Sequence, residues 1–448
     1  MLFPSLKESL KRTISRCPIC HGDAPAEVWK TTGSPAKVYL TRHCTEHGES
    51  TACISSDARF YWLAQGKPEN SCAAGCACAA DNNGLNGTLG RNADPADTSV
   101  EILSTCLALI EIVDSCNLAC PTCFADSPVG AAGDRLKYHD FDSLVARITG
   151  VLDRKGPIEI LQLSGGEPTL HPEFFRLLDR IHQEPRIDYC LGNTNAVRIA
   201  KEDDFLTKIG ECARRGNFQL YLQYDGPQQA GQLDLRGVDL RSMKTAAMDR
   251  CDRENIPFTL AMTVTSENLP HLWDTVEVGL KYQACRGISF QPMFRSGRNK
   301  HDDETSLNTA DVILGVVGQS ASRLRFEDFT PLPCGDPNCA TIGYLLRTPL
   351  GVRSISEFIN FASVQGFLRD KVRYDLADLI QCGCENTELG EILHRYEMKE
   401  KDAFRLFIKP FMDSWTWDQD RIDRCCTHVI RPDGKLDSFC RYYSSRTI

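Results

Sequence analysis

No stretch of this chain approaches the roughly 20 consecutive apolar residues that cross a bilayer. Its N-terminal MLFPSLKESLKRTISRC is broken by charge and lacks the apolar segment of an export signal, so the expected compartment is the cytoplasm. Basic charge is also short. The 51 Lys and Arg stand against 60 Asp and Glu, a formal net charge of -9, whereas binding a phosphate backbone calls for a basic surface; nucleic acid is not an expected partner. No internal repeat is visible, which excludes a repeat array. What the chain has in excess is cysteine. With 448 residues, 42% hydrophobic and 25% charged, there is room for two or three domains and a sizeable core. Its 22 cysteines would mean disulfides in a small secreted domain, but in a long chain without an export signal they read as metal ligands.

The densest group is Cys116-Asn-Leu-Ala-Cys120-Pro-Thr-Cys123-Phe124. The spacing CxxxCxxC lets three thiolates of one loop meet three irons of a cubane and leaves the fourth iron without a protein ligand, the open position at which chemistry happens. Taken alone, the same thiols also fit a zinc knuckle or a buried trio. Further on, 158–164 (IEILQLS) is a β-rich apolar run that ends in Gly165-Gly166-Glu167-Pro168. Glycines directly after a strand permit close approach of the backbone to a ligand. In this spacing and order, CxxxCxxC and GGEP resemble the radical S-adenosylmethionine (SAM) superfamily. The resemblance implies a catalytic 4Fe-4S cluster on Cys116, Cys120 and Cys123, with SAM at the open iron and contacts from Phe124, Gly165, Gly166, Glu167 and Pro168. It further implies reductive cleavage of SAM to a 5'-deoxyadenosyl radical, which takes a hydrogen atom from substrate while the protein orients and excludes water.

From residue 107 the chain alternates short β-rich runs with amphipathic segments. Strand candidates lie at 107–113, 158–164, 187–193, 218–224, 258–264 and 288–291, with helix candidates between them such as 172–182. Six βα repeats predict an α/β fold with a parallel sheet and right-handed crossovers. The superfamily's partial (β/α)6 barrel is the fit, with ligands at the C-terminal strand ends. Asn193, Gln223, Asp225, Thr263 and Gln291 end the later strands and are candidate SAM or substrate contacts; the competing reading is ordinary solvent-facing strand ends. The expected organisation is a metal ribbon at 1–68, a cysteine-rich linker at 69–106, the barrel at 107–295 and a C-terminal domain at 296–448.

Three more cysteine groups lie outside the barrel. Cys17-Pro-Ile-Cys20 with Cys44-Thr-Glu-His47 has the donor set of a closed tetrahedral site for zinc or iron, with Cys53 as the alternative to His47. Two short strands around Gly33-Ser34-Pro35 would make it a rubredoxin-like ribbon. Cys72, Cys76 and Cys78 with Cys106 would suit an auxiliary 4Fe-4S cluster. Cys334 and Cys339, Cys382 and Cys384, the pair Cys425-Cys426, and Cys440 form the third group. Its expected ligands are Cys334, Cys339, Cys440 and one of Cys425 and Cys426, since adjacent cysteines rarely bind one metal. Residues 391–412 read mainly as helix, and Trp415 and Trp417 read as core.

The whole order of ribbon, linker, CNLACPTCFADS, GGEPTLHPEF, PLPCGDPNC and CCTH resembles the tetraether lipid synthase branch and its bacterial relatives, a branch also associated with C-methylation of a pterin. The resemblance implies a lipid hydrocarbon chain as the leading substrate, with peripheral membrane contact, and a pterin-like molecule or a peptide as alternatives. It also implies a reductant such as flavodoxin or ferredoxin. Cobalamin is not expected, because no nucleotide-type domain precedes the barrel. The reading from another class, an iron-sulfur electron carrier without catalysis, leaves GGEP without a purpose. A lipid calls for a long apolar channel, and a pterin or peptide for convergent hydrogen-bonding groups.

Overall fold

The computed structural model describes residues 7–64, 105–299, 306–332, 334–359, 395 and 398–444. Strands β1 (Lys7–Arg16), β2 (Asp23–Thr31), β3 (Val38–Cys44) and β4 (Gly48–Ser55) form an antiparallel meander, with the expected Gly33-Ser34-Pro35 turn between β2 and β3. Its core is Ala26, Val28, Val38 and Leu40. So small a core supplies little folding energy by itself, which shifts the burden to a metal and to the packing described below.

Strands β5 (Leu107–Val113), β6 (Ile158–Gly165), β7 (Ile187–Thr194), β8 (Phe218–Gln223), β9 (Phe258–Val264) and β10 (Cys285–Pro292) lie side by side in chain order, all parallel. This is the α/β architecture expected, a mostly parallel sheet that does not close. β5 reads LALIEIV because six of its seven positions are buried, as in parallel strands covered on both faces. The helix expected over 172–182 is Phe174–His182, which seats Phe174, Leu177, Leu178 and Ile181 in the core.

The sheet continues across the boundary expected at 295/296. β14 (Ala403–Ile408) runs parallel beside β10, and β15 (Thr427–Ile430) runs parallel beside β5. Outside β14, β12 (Thr341–Thr348) is antiparallel and pairs with β11 (Thr330–Pro331) and β13 (Gly351–Ser354). Outside β15, β16 (Leu436–Ser438) closes a hairpin. β14 corrects the helix expected over 391–412: Phe404, Leu406 and Ile408 are fully buried and alternate with half-buried neighbours, the period of a strand.

The meander is fastened to the C-terminal part. Lys11 bridges Asp418 (2.7 Å) and Asp420 (2.8 Å), and Thr13 Oγ1 donates to Asp418 Oδ1 at 2.7 Å. Fully buried Arg42 donates to the carbonyls of Ser414 (2.6 Å) and Trp415 (2.5 Å). Trp417 is fully buried, the core role expected of it. Among the described residues no helix is long and apolar enough to cross a membrane.

Candidate active site and metal centres

A cavity of about 290 Å³ lies on the inner face of the sheet, with Cys116, Cys120, Cys123 and Phe124 on one side and Phe411, Phe439 and Lys409 on another. The cysteine loop follows β5 and is locked to the end of β6 by backbone alone. Gly166 N–H donates to Val113 O (2.8 Å), and Glu167 N–H donates to Ser115 O (3.0 Å). A side chain at either glycine would occupy space already taken: a Cβ on Gly165 would overlap the Val113 carbonyl, and one on Gly166 the Ser115 carbonyl. Gly165 also has φ +116°, where glycine alone is at ease. The two motifs thus form one junction.

Glu167 lines the cavity, but its carboxylate is spent inside the protein. It accepts from Thr169 Oγ1 (2.6 Å), Thr194 Oγ1 (2.9 Å) and the Asn195 N–H (2.7 Å). Burial pushes its pKa up, against these donors. Its effect is to tie the end of β6 to that of β7, while Gly165 and Gly166 offer the cavity bare backbone. Burial and the Glu167 charge raise the Cys116 thiol to about 12, so the site gives up protons when metal takes its sulfurs.

Of the candidate SAM and substrate contacts, Phe124, Gly165, Gly166, Glu167, Pro168, Asn193, Gln223, Thr263 and Gln291 line the cavity. Asp225 does not. It is buried and grips Arg236, taking its Nε (2.7 Å) and Nη2 (2.9 Å). Outside the expected set, Arg236 and Asn195 also line the cavity, and buried Lys244 stands behind Asn195. Asn195 Nδ2 donates to Asn117 Oδ1 at 2.6 Å. Lys244 donates to Asn195 O (2.5 Å) and Gln223 Oε1 (2.8 Å), its pKa lowered to about 7 by burial and by Arg236. The cavity floor is a row of amides. Gln162 donates to Asn193 (2.5 Å), Asn193 to Ser164 (3.1 Å), Gln219 to Thr259 (3.0 Å) and Gln291 to the Tyr221 hydroxyl (2.7 Å).

In the meander the sulfurs of Cys17, Cys20 and Cys44 and a ring nitrogen of His47 all lie within 4.8 Å of one another, which fits one tetrahedral ion. The Glu46 amide and the His47 ring lower the Cys44 thiol to about 6, toward the thiolate a metal requires. Cys53 points instead to Ser55 O at 3.5 Å. A Cys17→Ser, Cys20→Ser double variant is expected to lose one metal ion per chain by elemental analysis and to keep the iron of the cavity site. Unchanged metal content would refute this donor set.

The remaining cysteines are sorted differently from expectation. Cys106, Cys334 and Cys426 have their sulfurs within 4.8 Å of one another; Cys106 and Cys334 are in disulfide contact, although their Cα atoms stand 7.6 Å apart, beyond the usual span of a disulfide. Burial and the nearby Cys339, Cys426 and Cys440 raise the Cys425 thiol. Of the expected set Cys334, Cys339, Cys440 and one of Cys425 and Cys426, the structure gathers Cys334 and Cys426 with Cys106, whose N–H donates to Cys426 O at 3.1 Å. The gathering is pinned by His428, which is hydrogen-bonded to Thr105 (2.8 Å) and to Cys425 O (2.9 Å); burial lowers its pKa to about 3. Cys72, Cys76, Cys78, Cys382 and Cys384 lie outside the described residues.

Residues 110–278 match the model of the radical SAM superfamily, and residues 9–56 match that of the HMPTM N-terminal zinc ribbon domain. A 7,8-dihydro-6-hydroxymethylpterin dimethyltransferase of Methanocaldococcus jannaschii is 24% identical, over 96% of this chain and 93% of its own. A GTP 3',8-cyclase of Syntrophomonas wolfei is 30% identical over 41% of this chain and 55% of its own. The crystal structure of Streptococcus suis SuiB bound to S-adenosylmethionine covers 46% of each chain at 14% identity and a TM-score of 0.37. These names offer no support for a lipid substrate.

Proposed function

This chain is a radical SAM enzyme, with the superfamily's domain at residues 110–278, and from that premise we propose that it activates an unreactive C–H bond of a pterin-like heterocycle, leading to C-methylation. Cys116, Cys120 and Cys123 fit the cluster expected of the family. They share one loop, line the cavity, and adjoin two glycines packed tightly against that loop's backbone. With a 4Fe-4S cluster and SAM bound, one electron cleaves SAM to methionine and a 5'-deoxyadenosyl radical. The chain's own part is to hold and shield. Gly165 and Gly166 let the strand end close on the cysteine loop, Glu167 fixes the strand end, and Phe124, Phe294 and Phe439 shut water out of one wall.

The observation that carries the substrate reading is the amide floor of Gln162, Asn193, Gln219 and Gln291. These amides bond one another and neighbouring hydroxyls, yet an amide carries two N–H donors and two lone pairs, and the capacity left over complements a ring edged by alternating N–H, carbonyl and ring nitrogen groups. A hydrocarbon chain would make no use of it. The pterin substrate in the name of the Methanocaldococcus relative supports the same choice. Anaerobic incubation of the reconstituted protein with SAM, reductant and either a reduced pterin or a phospholipid tests it. The pterin should stimulate 5'-deoxyadenosine formation and change in mass, and Gln162→Leu should weaken that stimulation about tenfold. Stimulation by phospholipid alone would overturn the reading.

A further inference from the structure

Helix Gln232–Arg236 has no part in the two motifs, yet it abuts the cysteine loop at successive points. Thr122 Oγ1 donates to Leu235 O at 3.2 Å. A Cβ on Gly237 would stand 3.5 Å from both Ala119 O and Pro121 Cδ, so the chain leaving the helix touches the loop's backbone. Arg236 and Cys120 line the same cavity. The guanidinium is not a loose rim charge. Asp225 takes two of its N–H groups in parallel, and Thr263 Oγ1 accepts from Nη2 at 3.0 Å. Such a fork fixes the plane of the group. Arg236 is only 13% exposed and Asp225 only 1%.

We propose that Arg236 is a positioning residue of the radical site: held by Asp225, it donates a hydrogen bond to the Cys120 sulfur and sets how readily the cluster there accepts an electron. The proposal rests on the assignment of Cys116, Cys120 and Cys123 as cluster ligands. The contacts on either side of it, Thr122 with Leu235 and Gly237 with Ala119 and Pro121, bring Arg236 to the stretch of loop that holds Cys120. Reduction adds one negative charge to a cluster bound by thiolates. A hydrogen bond to a ligand sulfur and a buried cation nearby both favour the reduced form, and hydrogen bonds to sulfur and net charge are the levers by which proteins tune such clusters. Asp225 partly cancels that charge, but it also stops the guanidinium from swinging into the cavity as a ligand for substrate or SAM.

The test uses the full chain reconstituted with iron and sulfide. A potentiometric titration follows the EPR signal that responds to added SAM, which separates this cluster from any other in the chain, and SAM affinity is measured in parallel. In Arg236→Gln the midpoint should move to more negative potential. At the potential that half-reduces the parent cluster, the reduced fraction should then fall about threefold or more, with SAM affinity within about twofold of the parent. Arg236→Lys, which keeps the charge but not the fork, should fall between, and Asp225→Asn, which frees the guanidinium, should also move the midpoint. These two variants carry the test if Arg236→Gln does not fold. An unmoved midpoint overturns the proposal, and if SAM affinity drops at the same time, Arg236 belongs to the SAM site instead. A parent protein with no SAM-responsive cluster signal would overturn the ligand assignment itself.

Discussion

Replacing any one of Cys116, Cys120 and Cys123 by alanine is expected to abolish reductive SAM cleavage, with 5'-deoxyadenosine falling by about a thousandfold or more, while the unfolding temperature moves little. The loss is large because three thiolates are the whole protein ligation of the cluster, and a site that keeps two no longer presents one open iron among four. The fold is spared because these sulfurs are half-exposed in a loop, while the core is built from the strands and helices around it. Chromatography of anaerobic reactions measures the first effect and circular dichroism the second. Wild-type 5'-deoxyadenosine from any of the three variants would remove these cysteines from catalysis.

The second large effect needs only one methyl group. Gly166→Ala places a Cβ on the Ser115 carbonyl, and Gly165→Ala places one on the Val113 carbonyl at a φ of +116°. The atoms in the way are backbone and cannot rotate aside, so β6 must back off from the cysteine loop. We expect a loss of stability of about 1–3 kcal/mol and a fall in SAM cleavage of about a hundredfold, because the displaced residues lie next to Cys116. Gly318→Ala is the control. Its Cβ would meet nothing within 4 Å, and within helix Thr309–Gln319 alanine gains up to about 1 kcal/mol over glycine. Equal melting temperatures for Gly166→Ala and Gly318→Ala would mean that the junction is pliable.

The parallel strands were legible as short β-rich runs between amphipathic segments, even though Gln162, Asn193, Gln219 and Gln291 turn one face to the cavity; 107–113 and 258–264 match β5 and β9 residue for residue. β14 was not, because AFRLFI has as many apolar residues as an amphipathic helix turn and only its partners reveal the period of two. The CxxxCxxC loop and the CxxC with CxxH were legible because their donors are close in sequence. The gathering of Cys106, Cys334 and Cys426 was not, because the three lie beside different strands that meet only in the folded sheet. Asp225 shows a subtler limit. A carboxylate at a strand end looks the same in sequence whether it faces a ligand or holds Arg236, and only the helix that carries Arg236 back decides between them.

The placement of β14 and β15 at opposite flanks of the central strands has a bearing on the order in which the protein is made. A ribosome delivers β5 long before β15, its neighbour, and Thr105 meets His428 across 323 positions of chain. Until the late strands emerge, the nascent sheet carries two unpaired edges, and open edges invite pairing with other chains. The compartment that holds Cys106, Cys334 and Cys426 does not yet exist at that stage either, because its third wall arrives with Cys426. The gathering of those three thiols is therefore a late event, after translation has passed β15, whereas the donor set of the meander, Cys17, Cys20, Cys44 and His47, is complete while most of the polypeptide is still unmade.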